Sequence, residues 1–320
     1  MRAAAPPGTR RSTVVTDDDA RLTVYTDGPS HAGVTAILSH GYLMTADVWR
    51  LQARELSARG VRVVRYDQRA HGTSDPGHAA LTIDRLGADL AHIIDATTPQ
   101  GPIVLAGHSM GGMAALTVAA RQPELIRRRN PHVALISTAC SRAQLAPGNH
   151  PRHWIKAAVR ASYSYPLCWM PPAADAVRRR LPNRHPWALR PEAQHHDDIP
   201  PPGRQAIRHT PTEQIAELWQ SLRTYTTADQ LHALDALDDQ VEIITGELDD
   251  WIPLSQTREL ARQLPNARVH APVAGAGHRL PTNRFGHAAV TQVLSGMAEA
   301  ALRAPESTAA APTRLRGVPI

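Results

Sequence analysis

The sequence predicts an α/β fold: a mostly parallel central sheet with helices on both faces and a helical cap inserted after the sixth strand. Three observations predict it. Short apolar runs alternate with helix-patterned segments along most of the chain, and a Gly-Ser-Gly turn sits between one such run and a helix. Between about 141 and 228 the strand-like runs stop, and Pro, Arg, His and Trp rise. At 320 residues and 42% hydrophobic content, the chain can bury one sizeable core and still carry an insertion.

In chain order, Val34–Leu38 reads as a buried strand and 47–59 as a helix. Over 82–96, Thr82 is placed as an N-cap, and Ile83, Leu86, Leu90, Ile93 and Ile94 repeat at helical spacing. The run Ile103–Ala106 is a second buried strand, followed by a helix over 110–122. His132–Thr138, Gln240–Thr245 and Ala267–Val273 read as further strands, with helices over 253–264 and 284–300. The expected organisation is a tail at 1–20, a core of 21–140 and 229–302, a cap of 141–228 and a second tail at 303–320.

The clearest cap helix opens at Thr210-Pro211-Thr212-Glu213, with a threonine to cap it, a proline in the first turn and a glutamate behind. Ile215, Leu218, Trp219, Leu222 and Tyr225 then share one face. Such a stripe is ordinarily core packing, because an amphipathic helix must bury its apolar side against something. In a cap that something includes the pocket roof. Trp154, Tyr163, Tyr165, Trp169 and Met170, with Trp219, are the candidates for lining an apolar acyl or ring-binding cavity.

The turn that carries chemistry is Gly107-His108-Ser109-Met110-Gly111. A serine on a sharp strand-to-helix turn projects its hydroxyl clear of the backbone, and glycines two before and two after remove the side chains that would clash there. Ser109 is the candidate nucleophile. A serine hydroxyl is weak until a base takes its proton, so a histidine and a carboxylate must follow. Gly246-Glu247-Leu248-Asp249-Asp250 offers three carboxylates after a strand. Among 17 histidines, His278 stands out on the small-residue loop Gly275-Ala276-Gly277 after the last strand.

On these residues the chain resembles the α/β-hydrolases of the lid-bearing serine esterase and lipase type, close to monoglyceride-lipase and epoxide-hydrolase-like members, over most of 22–140 and 229–300. Ser39-His40-Gly41-Tyr42 matches the family's oxyanion loop, and Asp67-Gln68-Arg69-Ala70-His71-Gly72-Thr73-Ser74 its D-x-R-G-H-G-x-S turn, with Ala70 where glycine is usual. The family's G-x-x-D-x-x-x-P falls on Gly246, Asp249 and Pro253, which selects Asp249 over Asp250 and Glu247. Some relatives take the acid from the preceding strand's end, but Ile136-Ser137-Thr138 carries none.

The resemblance implies Ser109 as nucleophile, His278 as base and Asp249 as its orienting acid, with the backbone N–H groups of Tyr42 and Met110 forming the oxyanion hole. It makes His40 and His71 loop-bridging residues, and His108 a residue packed under the turn. Serine at 109 excludes the aspartate nucleophile of epoxide hydrolases. The leading expectation is hydrolysis of a carboxylic ester of small to medium, largely apolar character. The alternative is a specialised-metabolism enzyme of the same fold working by thioester cleavage, acyl transfer, carbon–carbon hydrolysis or elimination. A non-catalytic binding protein is disfavoured by the complete Ser109, Asp249 and His278 set.

No cofactor is expected, and no metal, because no histidine or cysteine stands at ligand spacing near Asp249-Asp250. The net charge is +6 with Lys156 the only lysine; Arg127–Arg129 and Arg178–Arg180 read as solvated surface. One Phe and no nucleic-acid module argue against nucleic acid as a partner, leaving a small-molecule substrate. Residues 1–20 hold no apolar stretch of signal-peptide length and no segment suits a membrane anchor, so a cytoplasmic location is expected. Cys140 and Cys168 are too few for a disulfide framework.

Overall fold

A computed structural model of the chain describes residues 8–141 and 211–303. Eight strands form one sheet: β1 (Arg10–Val15), β2 (Arg21–Asp27), β3 (Thr35–Ser39), β4 (Arg62–Tyr66), β5 (Ile103–His108), β6 (His132–Ile136), β7 (Val241–Ile244) and β8 (Arg268–Val269), in the order β1-β2-β4-β3-β5-β6-β7-β8. β1 and β2 pair antiparallel, as do β2 and β4; every later pairing is parallel. Parallel neighbours need crossovers, which here are α1 (Arg50–Ala58), α2 (Ile83–Thr97), α3 (Met110–Arg121), α4 (Pro123–Arg129), α5 (Thr212–Thr224), the short α6 (His232–Asp235) and α7 (Leu254–Gln263); α8 (Gly286–Arg303) follows the last strand.

The central strands are buried on both faces, and their side chains alternate between two cores with the two-residue period of a strand. Ile37, Val64, Leu105, Leu135 and Ile243 face one cluster, shared with α2 and α3; Leu38, Val63, Val104, Ala134 and Ile244 face the other, shared with α1 and α8. Thr82 caps α2 as expected, its side chain accepting the Arg85 N–H at 3.1 Å.

Several expectations are corrected. Arg10–Val15, placed in the terminal tail, is an edge strand paired along its whole length with β2. The strand expected over 267–273 is reduced to Arg268–Val269, with a single further bridge between Gly246 and Val273. α4 was not foreseen; it presents Arg127 and Arg128 to solvent, against Glu124 and Asp95. α5 begins at Thr212, with Pro211 at the cap position and no side-chain cap bond. Its stripe is core: Leu218, Leu222 and Tyr225 are buried in the α2–α3 cluster, and Trp219 packs against it. Trp154, Tyr163, Tyr165, Trp169 and Met170, the Arg178–Arg180 run, Cys168 and most of the expected cap lie outside the described residues.

Arg69, from the Asp67–Ser74 turn, is fully buried and grips two carboxylates. Its guanidinium holds Asp89 of α2 at 2.7 and 2.8 Å and Asp18 of the β1–β2 turn at 2.7 Å twice. These fork-to-fork bonds hold the Asp18 carboxyl far below its usual range, and they lock the antiparallel edge to α2. Ala70 beside it has φ 62°, the left-handed region that favours glycine, which accounts physically for glycine being usual there.

Candidate active site

The strand-to-helix turn is built as its glycines require. A Cβ at Gly107 would collide with the Gly111 carbonyl, and one at Gly111 with the Ser39 carbonyl of β3. This close packing holds Ser109 at φ 53° and ψ −117°, a strained conformation for a serine. Surrounding bonds keep it there: Ser109 N–H donates to Ile136 O at 2.9 Å, and Thr138 Oγ1 donates to Ser109 O at 2.7 Å.

Two loops at the C-terminal ends of β7 and β8 bring the other expected residues to Ser109. They are knitted together through backbone: Leu248 N–H donates to Ala276 O at 2.8 Å and Glu247 N–H to Val273 O at 3.0 Å, while Gly246 lies so close to Ala276 that a Cβ would not fit. Gly275 N–H adds a bond to the Glu247 carboxylate at 3.0 Å. In that frame His278 Nε2 stands 3.0 Å from Ser109 Oγ, and His278 Nδ1 is 2.9 and 3.1 Å from the two oxygens of Asp249. Asp249 is buried, and its Oδ1 also accepts the N–H groups of Trp251 and Ile252 at 2.9 and 2.8 Å. The Trp251 ring stacks on the His278 imidazole with centroids 6.0 Å apart.

The loop expected to carry an oxyanion donor, Ser39–Tyr42, meets this group from the end of β3. A Cβ on Gly41 would lie 3.2 Å from Ser109 Cβ, so the Gly41–Tyr42 peptide abuts the serine. Met110 heads α3, where its N–H has no carbonyl four residues back to bond within the helix. His40 and His71 bridge loops: His40 Nε2 accepts Gln68 N–H at 2.9 Å, and its Nδ1–H donates to Gly41 O at 2.8 Å. His71 Nε2 accepts Leu43 N–H at 3.3 Å, and its Nδ1–H donates to Arg69 O at 2.9 Å. Each ring uses one nitrogen as acceptor, which requires a neutral imidazole.

His108 does more than pack under the turn. Its Nε2–H donates to His278 O at 2.8 Å, and the two rings lie 5.0 Å apart, so the last residue of β5 braces the loop that carries His278. The signal for it was available, because a residue beside the serine points to the opposite side of the strand end, where a loop from β8 must pass.

Burial drives all three rings away from their charged forms. His40 is held well below the usual imidazole value, His71 falls to about 4 and His108 to about 3, the neighbouring His71 and His278 adding to the effect at His40 and His108. The sign follows directly. Unfolded, each ring takes a proton near pH ~6.5; folded, it refuses one, so acid favours the unfolded chain. Stability is full above about pH 6.5 and falls by about 1.4 kcal/mol per pH unit for each ring on descending toward 4. Urea midpoints are expected to drop steeply between pH 7 and 5, before carboxylates contribute. A flat midpoint over that interval would mean the rings titrate normally in the folded protein.

Among the described residues no helix is long and apolar enough to cross a membrane. A provisionally named carbamate hydrolase, RutD of Caulobacter sp. (strain K31), is 29% identical over 289 residues, covering 85% of this chain and 94% of that one. A non-heme chloroperoxidase of Streptomyces lividans is 33% identical over 100 residues, 31% of this chain and 36% of its own. The solved structure of a thermophilic esterase from Thermogutta terrifontis superposes with a TM-score of 0.63 over 91% of this chain and 99% of that one, at 22% identity. A model of the alpha/beta hydrolase fold matches residues 37–279, from β3 through the His278 loop, and the chain belongs to that family.

Proposed function

We propose that the protein is a serine hydrolase that cleaves a carboxylic ester of small to medium, largely apolar character through an acyl-enzyme. The observation that carries this reading is the continuous relay from Ser109 Oγ through His278 to a buried Asp249, at 3.0 and 2.9 Å. His278 takes the Ser109 proton as the oxygen attacks the acyl carbonyl, and Asp249 fixes the Nδ1–H tautomer and stabilises the imidazolium. The N–H groups of Tyr42 and Met110 receive the oxyanion. His278 then returns the proton to the departing alcohol, and water activated by the same ring releases the acid. The likeness to RutD over 85% of this chain makes a carbamate, whose carbonyl is open to the same attack, the second substrate class to assay.

In this reading the insertion between β6 and α5 is a cap that selects the acyl or alcohol group. An apolar chamber gains about 0.8 kcal/mol per methylene buried, so kcat/KM rises about fourfold per methylene until it fills. The test is a series of p-nitrophenyl esters from acetate to octanoate, with a carbamate alongside. A rise to a medium-chain optimum is expected. Uniformly slow turnover of the whole series, with fast turnover of a multi-ring natural-product ester, would replace the general esterase with the specialised-metabolism reading.

A further inference from the structure

α5 and its C-cap touch one candidate oxyanion donor, Tyr42, and the first turn of the helix that carries the other, Met110. At one end of the helix, Tyr225 OH donates to Met113 O in the first turn of α3 at 3.0 Å, the helix that begins with Met110. At the other, Tyr42 OH donates to Ile215 O at 3.1 Å, and the Tyr42 ring packs on Trp219, one turn further along, with centroids 5.9 Å apart. α5 is itself fixed, since Leu218 and Leu222 are buried in the core and Ser221 Oγ accepts the N–H of Ile83 at the head of α2 at 2.9 Å.

The direction of the Tyr42 N–H is set by the rest of its peptide. Gly41 O receives His40 Nδ1–H at 2.8 Å and Met44 N–H at 3.2 Å, and a planar trans peptide aims the Tyr42 N–H the opposite way. On the far side of Tyr42, Leu43 adopts φ 57° and gives its N–H to His71. The loop is thus held by histidines from the core side and by the phenol from α5. The histidines hold the peptide's direction, while the two phenols tie Tyr42 and the first turn of α3 to α5 and its C-terminal end.

We propose that α5 sets the spacing of the two oxyanion donors, with the Tyr42 phenol as a positioning group for its own backbone N–H; this rests on the serine-hydrolase reading above. An oxyanion hole works only with donors placed for the transition-state oxygen, so a misplaced donor costs turnover without weakening ground-state binding.

Tyr42→Phe keeps the ring and the backbone and removes the hydroxyl that bonds Ile215 O. It is expected to lower kcat about tenfold, less than outright loss of a donor, with KM within about twofold and a matching loss of affinity for a trifluoromethyl ketone, whose adduct carries the oxyanion. Tyr225→Phe, which cuts the other tether, is expected to act in the same sense and serves if the first variant is unstable. Both should still take up one phosphonate at Ser109, only more slowly. Unchanged kcat and ketone affinity in both variants would overturn the proposal, as would a loss confined to KM. A wild-type protein that fails to label at Ser109 would instead overturn the hydrolase reading on which it stands.

Discussion

Ser109→Ala is expected to lower ester turnover by ~10⁴ or more while the melting temperature stays close to that of the wild type. The side chain loses only its hydroxyl, whose partner is His278 Nε2 at 3.0 Å. Alanine has the same Cβ and meets the same backbone strain at φ 53°, which is imposed by the close approach of Gly107, Gly111 and Ser39 rather than by the hydroxyl. The oxyanion donors remain, so residual catalysis of about 10³ over water is expected. A serine-directed phosphonate, read by intact mass, should add once to the wild type and not to the variant. Full labelling of Ser109→Ala would place the nucleophile elsewhere.

The part of the site that was legible in sequence is the part whose geometry demands particular residues at fixed spacing. Gly107 and Gly111 are glycine because backbone passes where a Cβ would sit, and that leaves a pattern on the page. His278 and Asp249 could be singled out because each follows a strand, and parallel strand ends bring such loops to one edge of the sheet, where the two lie 2.9 Å apart. What escaped has no such signature. β1 exposes nearly every side chain, so its burial pattern lacks the apolar alternation of a half-buried strand; pairing with β2 makes it ordered. β8 is short because only Arg268 and Val269 keep the ladder with β7 before the chain turns toward His278. Leu218, Leu222 and Tyr225 of the α5 stripe were legible as core packing, but that the carbonyl at Ile215 takes the Tyr42 hydroxyl depends on tertiary approach across 173 residues of chain.

Asp249→Asn is expected to cost ~10⁴ in kcat, and Asp250→Asn less than about tenfold, although the two stand side by side. Two backbone donors decide the outcome. Trp251 N–H and Ile252 N–H both point at Asp249 Oδ1, at 2.9 and 2.8 Å, so an asparagine must place its carbonyl oxygen there. Its NH₂ group then occupies the position of Oδ2, 2.9 Å from His278 Nδ1. Facing a donor, Nδ1 must give up its proton and become an acceptor, which moves the ring proton to Nε2. The nitrogen that should receive the Ser109 proton is then already protonated, and the negative charge that would stabilise the imidazolium is gone. Flipping the amide does not rescue the ring, because its NH₂ would then confront two N–H donors in a buried site. The steady-state pH profile tests this beyond the loss of rate: if activity in Asp249→Asn returns at high pH, hydroxide is substituting for the base, as the wrong tautomer requires. Equal damage from Asp250→Asn would show that the acid is misassigned by one residue.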